Sequence, residues 1–446
     1  MEGVIRIHLS KAFKFIICAV ACAWPTLTSA QDVLEQTAPQ IDSASQGSQC
    51  LALANIIHLA QSNSPEVDVA QSEYGAAVAR YDETKSFFRP QLSSFVRTAR
   101  GDDGLVNSQF SNQFGFRASQ RLYDFGDSRL ARRAAKSDAD ASFGLVEQAQ
   151  FDAAYQAVLD YIAWLEAQAL LQVTAERERY FADQRNALSR ALKAGEATRS
   201  EIAKLDAEIA SADSFRLNLN LKRIKAETNI RNTTQSVSLP CASMVDALRS
   251  TLVVPISSQS VESLLMNARR QNPKLRSLED TARSLEHTAR RRARERLPAI
   301  ELVGIASLAG DSEFNNMEFR ESLGIDITVP ILTGSALTAR TAQARARAGK
   351  AKAEVASRQR DLQTEVESTY QKLFLLEAQL ETYGAVNRAR SEELNALQKE
   401  FDAGLQTLSE LVDAKLKSEA ALIETISLKH DLLRAGLTLK YMTGDL

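Results

Sequence analysis

Apolar positions recur along this chain with two different periods. Val158, Ile162, Leu165 and Ala169 follow the spacing i, i+4, i+7, i+11, which gathers them on one face of a helix. Leu323, Ile325, Ile327 and Val329 instead alternate with Ser322, Gly324, Asp326 and Thr328, the period of a strand with one apolar and one polar face. A second alternating run sets Phe110, Phe114, Phe116 and Ala118 against Gln113, Gly115, Arg117 and Ser119. Residues 91–100 and 299–309 are also strand-like, and Gly101-Asp102-Asp103-Gly104 and Gly310-Asp311 supply the turns of two hairpins.

Proline marks where helices cannot run. It stands at 25, 39, 65, 90, 240, 255, 273, 298 and 330, so residues 91–239 and 331–446 contain none. Those stretches are rich in Ala, Leu, Glu, Gln, Lys and Arg and read as long helices. A helix over residues 128–194 extends on the order of 100 Å. That length suits a coiled coil or a tube, and its alanine-rich faces need lateral neighbours to be stable.

The plan occurs twice. Pro65 and Pro90 are spaced like Pro273 and Pro298, and each first proline follows Asn63-Ser64 or Asn272. The window Asn186 to Glu201 and the window Asn395 to Glu410, 209 residues further on, agree at eight of sixteen positions, including Ala-Gly-x-x-Thr-x-Ser-Glu. Each repeat therefore reads helix, hairpin, long helix, turn, helix. The expected division is a signal peptide over 1–30, a linker over 31–50, a first repeat over 51–239, an inter-repeat linker over 240–259 and a second repeat over 260–446.

The N-terminus changes what the hairpins mean. Arg6, Lys11 and Lys14 precede an apolar run and Thr28-Ser29-Ala30, a secretory signal with cleavage expected after Ala30. Ala19-Val20-Ala21-Cys22 fits a lipobox poorly. In an exported chain, strands of about ten residues with one apolar face match an outer-membrane barrel. Alone, the same hairpins read as a soluble sheet with one wet face. Four strands cannot enclose a lumen, so the barrel has to be shared between subunits.

The net charge of −2 recruits no nucleic acid. Beyond the signal, Cys50 and Cys241 remain, an even pair that permits one disulfide in an oxidising compartment or stays as two buried thiols. His8, His58, His287 and His430 lack metal-ligand spacing, and no phosphate loop or nucleophile motif is present. The expectation is no enzyme, no metal and no cofactor. The run Arg290, Arg291, Arg292, Arg294, Arg296 reads as a solvated helix end, with anionic lipid head groups as the second reading.

Together, the paired Asn-Pro openings, the hairpin exits Leu122-Tyr123-Asp124-Phe125-Gly126 and Val329-Pro330-Ile331-Leu332-Thr333-Gly334-Ser335, and the doubled Ala-Gly-x-x-Thr-x-Ser-Glu tip resemble the TolC family of outer-membrane export channels. The resemblance covers residues 51–441. It implies a mixed α/β membrane protein, a homotrimer in which each protomer gives four strands to one outer-membrane β-barrel and its helices to one periplasmic tunnel. It further implies an exit duct for type I protein secretion or drug efflux, with a periplasmic adaptor and an inner-membrane ABC or RND transporter as partners. The poor lipobox leans toward the secretion branch. The tips, Ala194, Gly195, Thr198 and Ser200 with Ala403, Gly404, Thr407 and Ser409, are the expected adaptor-docking residues. Glu410 and Asp413 share a helix face and are the expected acidic pore constriction. The first repeat has Lys204 where the second has Asp413, which singles out the second as pore-lining. In this topology Cys50 and Cys241 both belong to the collar and are expected to form a disulfide. Phe110, Phe114 and Phe116 are expected to meet outer-membrane lipid, and Gln113 and Arg117 the lumen. The alternative is a periplasmic coiled coil or adaptor without a pore.

Overall fold

The structure is a computed structural model that describes residues 50–99, 111–195, 197–242, 245–311 and 317–445. The signal peptide, the segment 31–49, the Gly101–Gly104 turn and Phe110 lie outside the described residues.

The first half runs α1 (Leu53–Asn63), α2 (Pro65–Lys85), β1 (Gln91–Ala99), β2 (Ser111–Tyr123), α3 (Asp127–Ala194) and α4 (Arg199–Thr234). The second half opens with two short helices, α5 (Val245–Leu252) and α6 (Val254–Ser257). It then repeats the order as α7 (Val261–Gln271), α8 (Pro273–Arg294), β3 (Ala299–Asp311), β4 (Glu318–Thr328), α9 (Ala336–Asp402) and α10 (Leu408–Thr443). Pro65 and Pro273 each open a helix, where the missing N–H costs no hydrogen bond. Asn272 caps its helix by accepting from the Leu275 N–H at 3.0 Å.

The four strands form one antiparallel sheet in the order β1-β2-β3-β4. Each continues into a helix, β1 from α2, β2 into α3, β3 from α8 and β4 into α9. These helices pack side by side in the same lateral order. Farther from the sheet α4 takes over from α2 and α10 from α8, so the order becomes α4, α3, α10, α9. The chain is one wall, four elements wide, from strand rim to helix tip. α3 spans 68 residues, about 100 Å.

Small residues let this wall close up. Ala131, Ala134, Ala141, Ala153, Ala154 and Ala157 are buried along α3. The buried Ser277 and Ser284 hydroxyls of α8 donate to the Ala141 and Ala134 carbonyls of α3, at 2.9 and 2.8 Å. Gly436 of α10 lies so near the end of α5 that a Cβ there would stand 2.7 Å from the Leu252 carbonyl oxygen.

The main core sits at the waist. Ile56, Tyr161, Ile162, Ile230, Leu264, Leu362, Val366 and Leu433 bring α1, α3, α4, α7, α9 and α10 together there. A second, smaller cluster of Phe181, Leu205, Leu408 and Val412 joins α3, α4 and α10 near the tips. At the waist Cys50 and Cys241 are joined by a disulfide, beside a short bridge in which the Leu51 N–H donates to Leu239 and the Cys241 N–H to Leu51. The Tyr161 hydroxyl donates to the Cys241 carbonyl at 2.7 Å.

Candidate channel wall and periplasmic tips

The strand register sorts side chains onto two faces, because partners directly opposite in an antiparallel pair point the same way. Gln113 pairs with Ala309, Gly115 with Ser307 and Arg117 with Ile305. That face also carries Arg97, Arg121, Glu301, Arg320 and Asp326. Its polar groups meet one another: the Gln113 amide donates to the Ser307 hydroxyl at 3.0 Å, and Arg121 lies 3.3 Å from Glu301. Gly115 is needed here, since a Cβ would fall 2.6 Å from the Ala306 carbonyl.

The opposite face carries Leu92, Val96, Phe114, Phe116, Leu308, Phe319, Leu323, Ile325 and Ile327, all exposed. Leu323 is 78% exposed and Val96 75%. Glu321 is the only charged side chain on this face among the described residues. An apolar sheet face of that extent has no place in water. Strands of 9 to 13 residues with this alternation suit a hydrocarbon layer. Gln113 and Arg117 thus share one face, and Phe114 and Phe116 the other.

At the far end the chain turns twice. Gly195 (φ 82°) ends α3 and Gly404 (φ 74°) follows α9, both left-handed, a conformation that costs glycine nothing. Beyond its immediate chain neighbours, neither has an atom within 4 Å of where a Cβ would stand, so both turns face open space in this chain. The residues after each glycine have a definite local task. Thr198 accepts from the Glu201 N–H at 3.3 Å, and the Glu201 carboxylate accepts from the Thr198 N–H at 2.8 Å. Thr407 and Glu410 repeat the pair at 3.3 and 3.1 Å. The doubled Thr-x-Ser-Glu motif is a pair of capping boxes that start α4 and α10. Hydrogen bonds from the Thr198 hydroxyl and N–H hold the Glu201 carboxyl below its ordinary value.

These caps alter the picture drawn from sequence. Glu410 and Asp413 do stand on the first turns of α10, but each has a partner within its own chain. Glu410 is turned back onto Thr407, and Asp413 lies 2.9 Å from Lys204 of α4. Lys204 also donates to the Ser409 hydroxyl at 2.6 Å. Ser200 and Thr198 share a hydrogen bond at 3.0 Å. Of the expected docking residues, Ala194, Gly195, Ala403 and Gly404 are exposed and make only backbone bonds to their own turns, whereas the hydroxyls are engaged at the caps. The Lys204/Asp413 asymmetry between repeats was visible in the sequence. Its structural meaning is an ion pair across the tip.

Behind the tips, a charged cluster is enclosed by α3, α4 and α10. Arg177 lies 2.9 Å from Glu208 and 3.6 Å from Glu419, which Lys415 approaches at 3.2 Å. Burial pushes the Glu419 carboxyl up, with Lys415 opposing. Nothing in the sequence periodicity marks this cluster, because its members read as ordinary charged helix positions. No group of three or more His, Cys, Asp or Glu suited to a metal occurs among the described residues.

A strand-to-helix wall with one lipid-suited sheet face defines a class, the outer-membrane channel with a β-barrel continued by a helical tunnel. Comparison with known proteins gives the same answer. The profile described as outer membrane efflux protein matches residues 56–234 and 264–445, and the chain belongs to that family. It is 24% identical over 451 residues to outer membrane efflux protein BepC of Brucella suis, covering 98% of this chain and 92% of that protein. It is 22% identical over 414 residues to alkaline protease secretion protein AprF of Pseudomonas aeruginosa, covering 89% and 85%. Among solved structures it superposes on CusC with a TM-score of 0.76 at 18% identity, covering 91% of this chain and 96% of that one. The protein is an outer-membrane channel and not an enzyme.

Proposed function

We propose that three copies close into one barrel and one tunnel, and that this duct is the exit stage of a tripartite export system. The observation that carries the reading is the wall with both edges open. β1 and β4 are both edge strands, and a sheet of four strands is too narrow to surround a lumen. Because the strand count is even, β4 of one copy runs antiparallel to β1 of the next, so identical copies extend the sheet without a break. The helical edges match. Leu217, Leu221 and Ile224 form an exposed apolar stripe on α4, and Leu375 and Val386 are exposed on α9. Such a head-to-tail contact gives a ring when the rotation between copies closes. The number three is what the family resemblance implies.

The tips at Gly195 and Gly404 are the proposed docking points of a periplasmic adaptor, supported by the open space around both turns. Energy would come from an inner-membrane ABC or RND transporter. Glu410 and Asp413 would gather round the narrow mouth as a ring that favours cations, with Lys204 moderating it. The names of the two relatives point to efflux and to protease secretion, so the cargo of this chain is either a small toxic compound or a secreted protein.

Leu221→Cys with Leu375→Cys tests the closure. Oxidation should give a ladder ending at three chains, together with conducting events in a planar bilayer. Cross-links confined to single chains, or a non-conducting product, would refute it.

A further inference from the structure

The four links between helix and strand lie at one rim of the sheet, because β1 and β3 begin there and β2 and β4 end there. Every link exposes apolar side chains. Phe88 precedes β1; Tyr123 ends β2 and Phe125 follows it, their rings edge to face at 4.7 Å; Leu297 precedes β3; Ile331 and Leu332 follow β4, each 92% exposed. These side chains add exposed apolar surface just past the ends of the strands.

Cations lie just beneath. Residues 80–89, 124–136, 283–296 and 336–352 hold eighteen Lys or Arg and six Asp or Glu, in a chain whose net charge is −2. The arginine run at the end of α8 lies among them. Part of it is neutralised locally: Arg290 pairs with Glu286, Arg291 with Asp127 and Arg292 with Glu295. Three cations nearest the rim have no such ion pair among the described residues. Arg89 is exposed between Phe88 and Pro90. Arg294 donates to the Phe125 carbonyl at 2.9 Å, and Arg296 to the Thr338 hydroxyl at 2.7 Å. Both bonds leave the guanidinium charge exposed, and the first fixes it against the link that bears Phe125.

We propose that this rim is a binding belt for anionic phospholipids of the leaflet facing the periplasm. The apolar links enter among the acyl chains, and Arg89, Arg294 and Arg296 hold the head-group phosphates. Arg294 and Arg296 lie beyond Leu297 going away from the sheet, and Arg89 stands beside Phe88; apolar then cationic is the order acyl chain, then phosphate, going toward water. A soluble acidic partner would match the cations but would leave Ile331 and Leu332 without a role. The inference rests on the outer-membrane location and is independent of how many copies form the ring.

The test uses the full chain reconstituted into phosphatidylcholine vesicles and into vesicles where part of that lipid is phosphatidylglycerol. Phosphatidylglycerol should raise the unfolding temperature of the parent, and 1 M salt, where the screening length is about 3 Å, should remove most of the gain. Arg89→Gln/Arg294→Gln/Arg296→Gln should match the parent in phosphatidylcholine and lose most of the gain, while the triple Lys variant retains part of it. No gain in the parent, or an undiminished gain in the Gln variant, would overturn the proposal. So would an equal gain when inorganic phosphate is added to the detergent-solubilised protein, because that describes a free-anion site. Should the Gln variant fail to fold, the lipid retained by the parent on mild extraction decides: enrichment of phosphatidylglycerol over the bulk supports the belt, and bulk composition overturns it.

Discussion

Asp413 and Lys204 are both partly exposed, so their ion pair contributes at most about 1 kcal/mol to stability. Its larger effect is on the charge at the mouth, where the proposed ring of Glu410 and Asp413 acts. Lys204→Ala should increase the cation preference of the channel, most clearly at low salt, and Glu410→Gln/Asp413→Asn should reduce it. Reversal potentials in planar bilayers measure both; selectivities equal to the parent's would place these carboxylates outside the constriction. His430 makes a different prediction. It is 1% exposed, its Nδ1 lies 2.7 Å from the Ile426 carbonyl, and its Nε2 has no partner. Nδ1–H donates to that carbonyl in the neutral ring, and a proton on Nε2 would be buried without an acceptor. Burial accordingly pushes the His430 pKa below 6.5, with the Ile426 carbonyl and Glu166 opposing. The unfolded chain then binds the extra proton first. Stability from this residue is complete above about 6.5 and declines as pH falls below it. Thermal unfolding followed from neutral pH to pH 5 should show a shallower decline for His430→Gln than for the parent; parallel curves would remove His430 from the account.

At the scale of elements, the tips separate what sequence conveys from what it does not. Thr-x-Ser-Glu after a glycine is a capping signature, and its two copies mark the starts of α4 and α10. Thr198→Ala and Thr407→Ala should each cost about 1 kcal/mol of local helix stability, seen as faster amide exchange in the first turns of α4 and α10. Long helices were legible because proline is absent from them and alanine abundant. The strand faces were legible because period-two alternation sets Phe114 and Phe116 against Gln113 and Arg117. Close approaches between elements were not. Gly436 and Ser277 look unremarkable in sequence, and only the packed structure shows the end of α5 against one and α3 against the other. Gly436→Ala has to push the Leu252 backbone away and should cost about 1–3 kcal/mol, read as a lowered unfolding temperature. An unchanged temperature would mean that the end of α5 yields freely. The Arg177–Glu419 cluster was equally hidden, since partners on three helices share no sequence spacing.

At the scale of the whole molecule, continuity of the wall follows from the match between strand order and helix order, β1-β2-β3-β4 above α2, α3, α8, α9. The repeat foreshadowed this arrangement, but lateral order is a property of packing and has no one-dimensional signal. The waist disulfide closes a loop of 191 residues around the first repeat. In the chain-entropy model a loop that long stabilises by up to about 5 kcal/mol. Cys50→Ser/Cys241→Ser should therefore lower the denaturant midpoint measurably with the tunnel still assembled, and an identical midpoint would show that the waist core alone sets stability there.

The same bond imposes an order of events on biogenesis. Reaching the outer membrane requires threading across the inner one, and the thiol of Cys50 arrives in the oxidising space while Cys241 is still far behind it. From Cys50 to the C-terminus, Cys241 is the only other cysteine. Downstream there is one destination and no wrong turning. The cell has to supply an oxidant at the right moment, and a proofreading isomerase has no mispairing between these two to correct. The join at the waist thus serves as a timestamp, closing only after the entire first repeat has crossed.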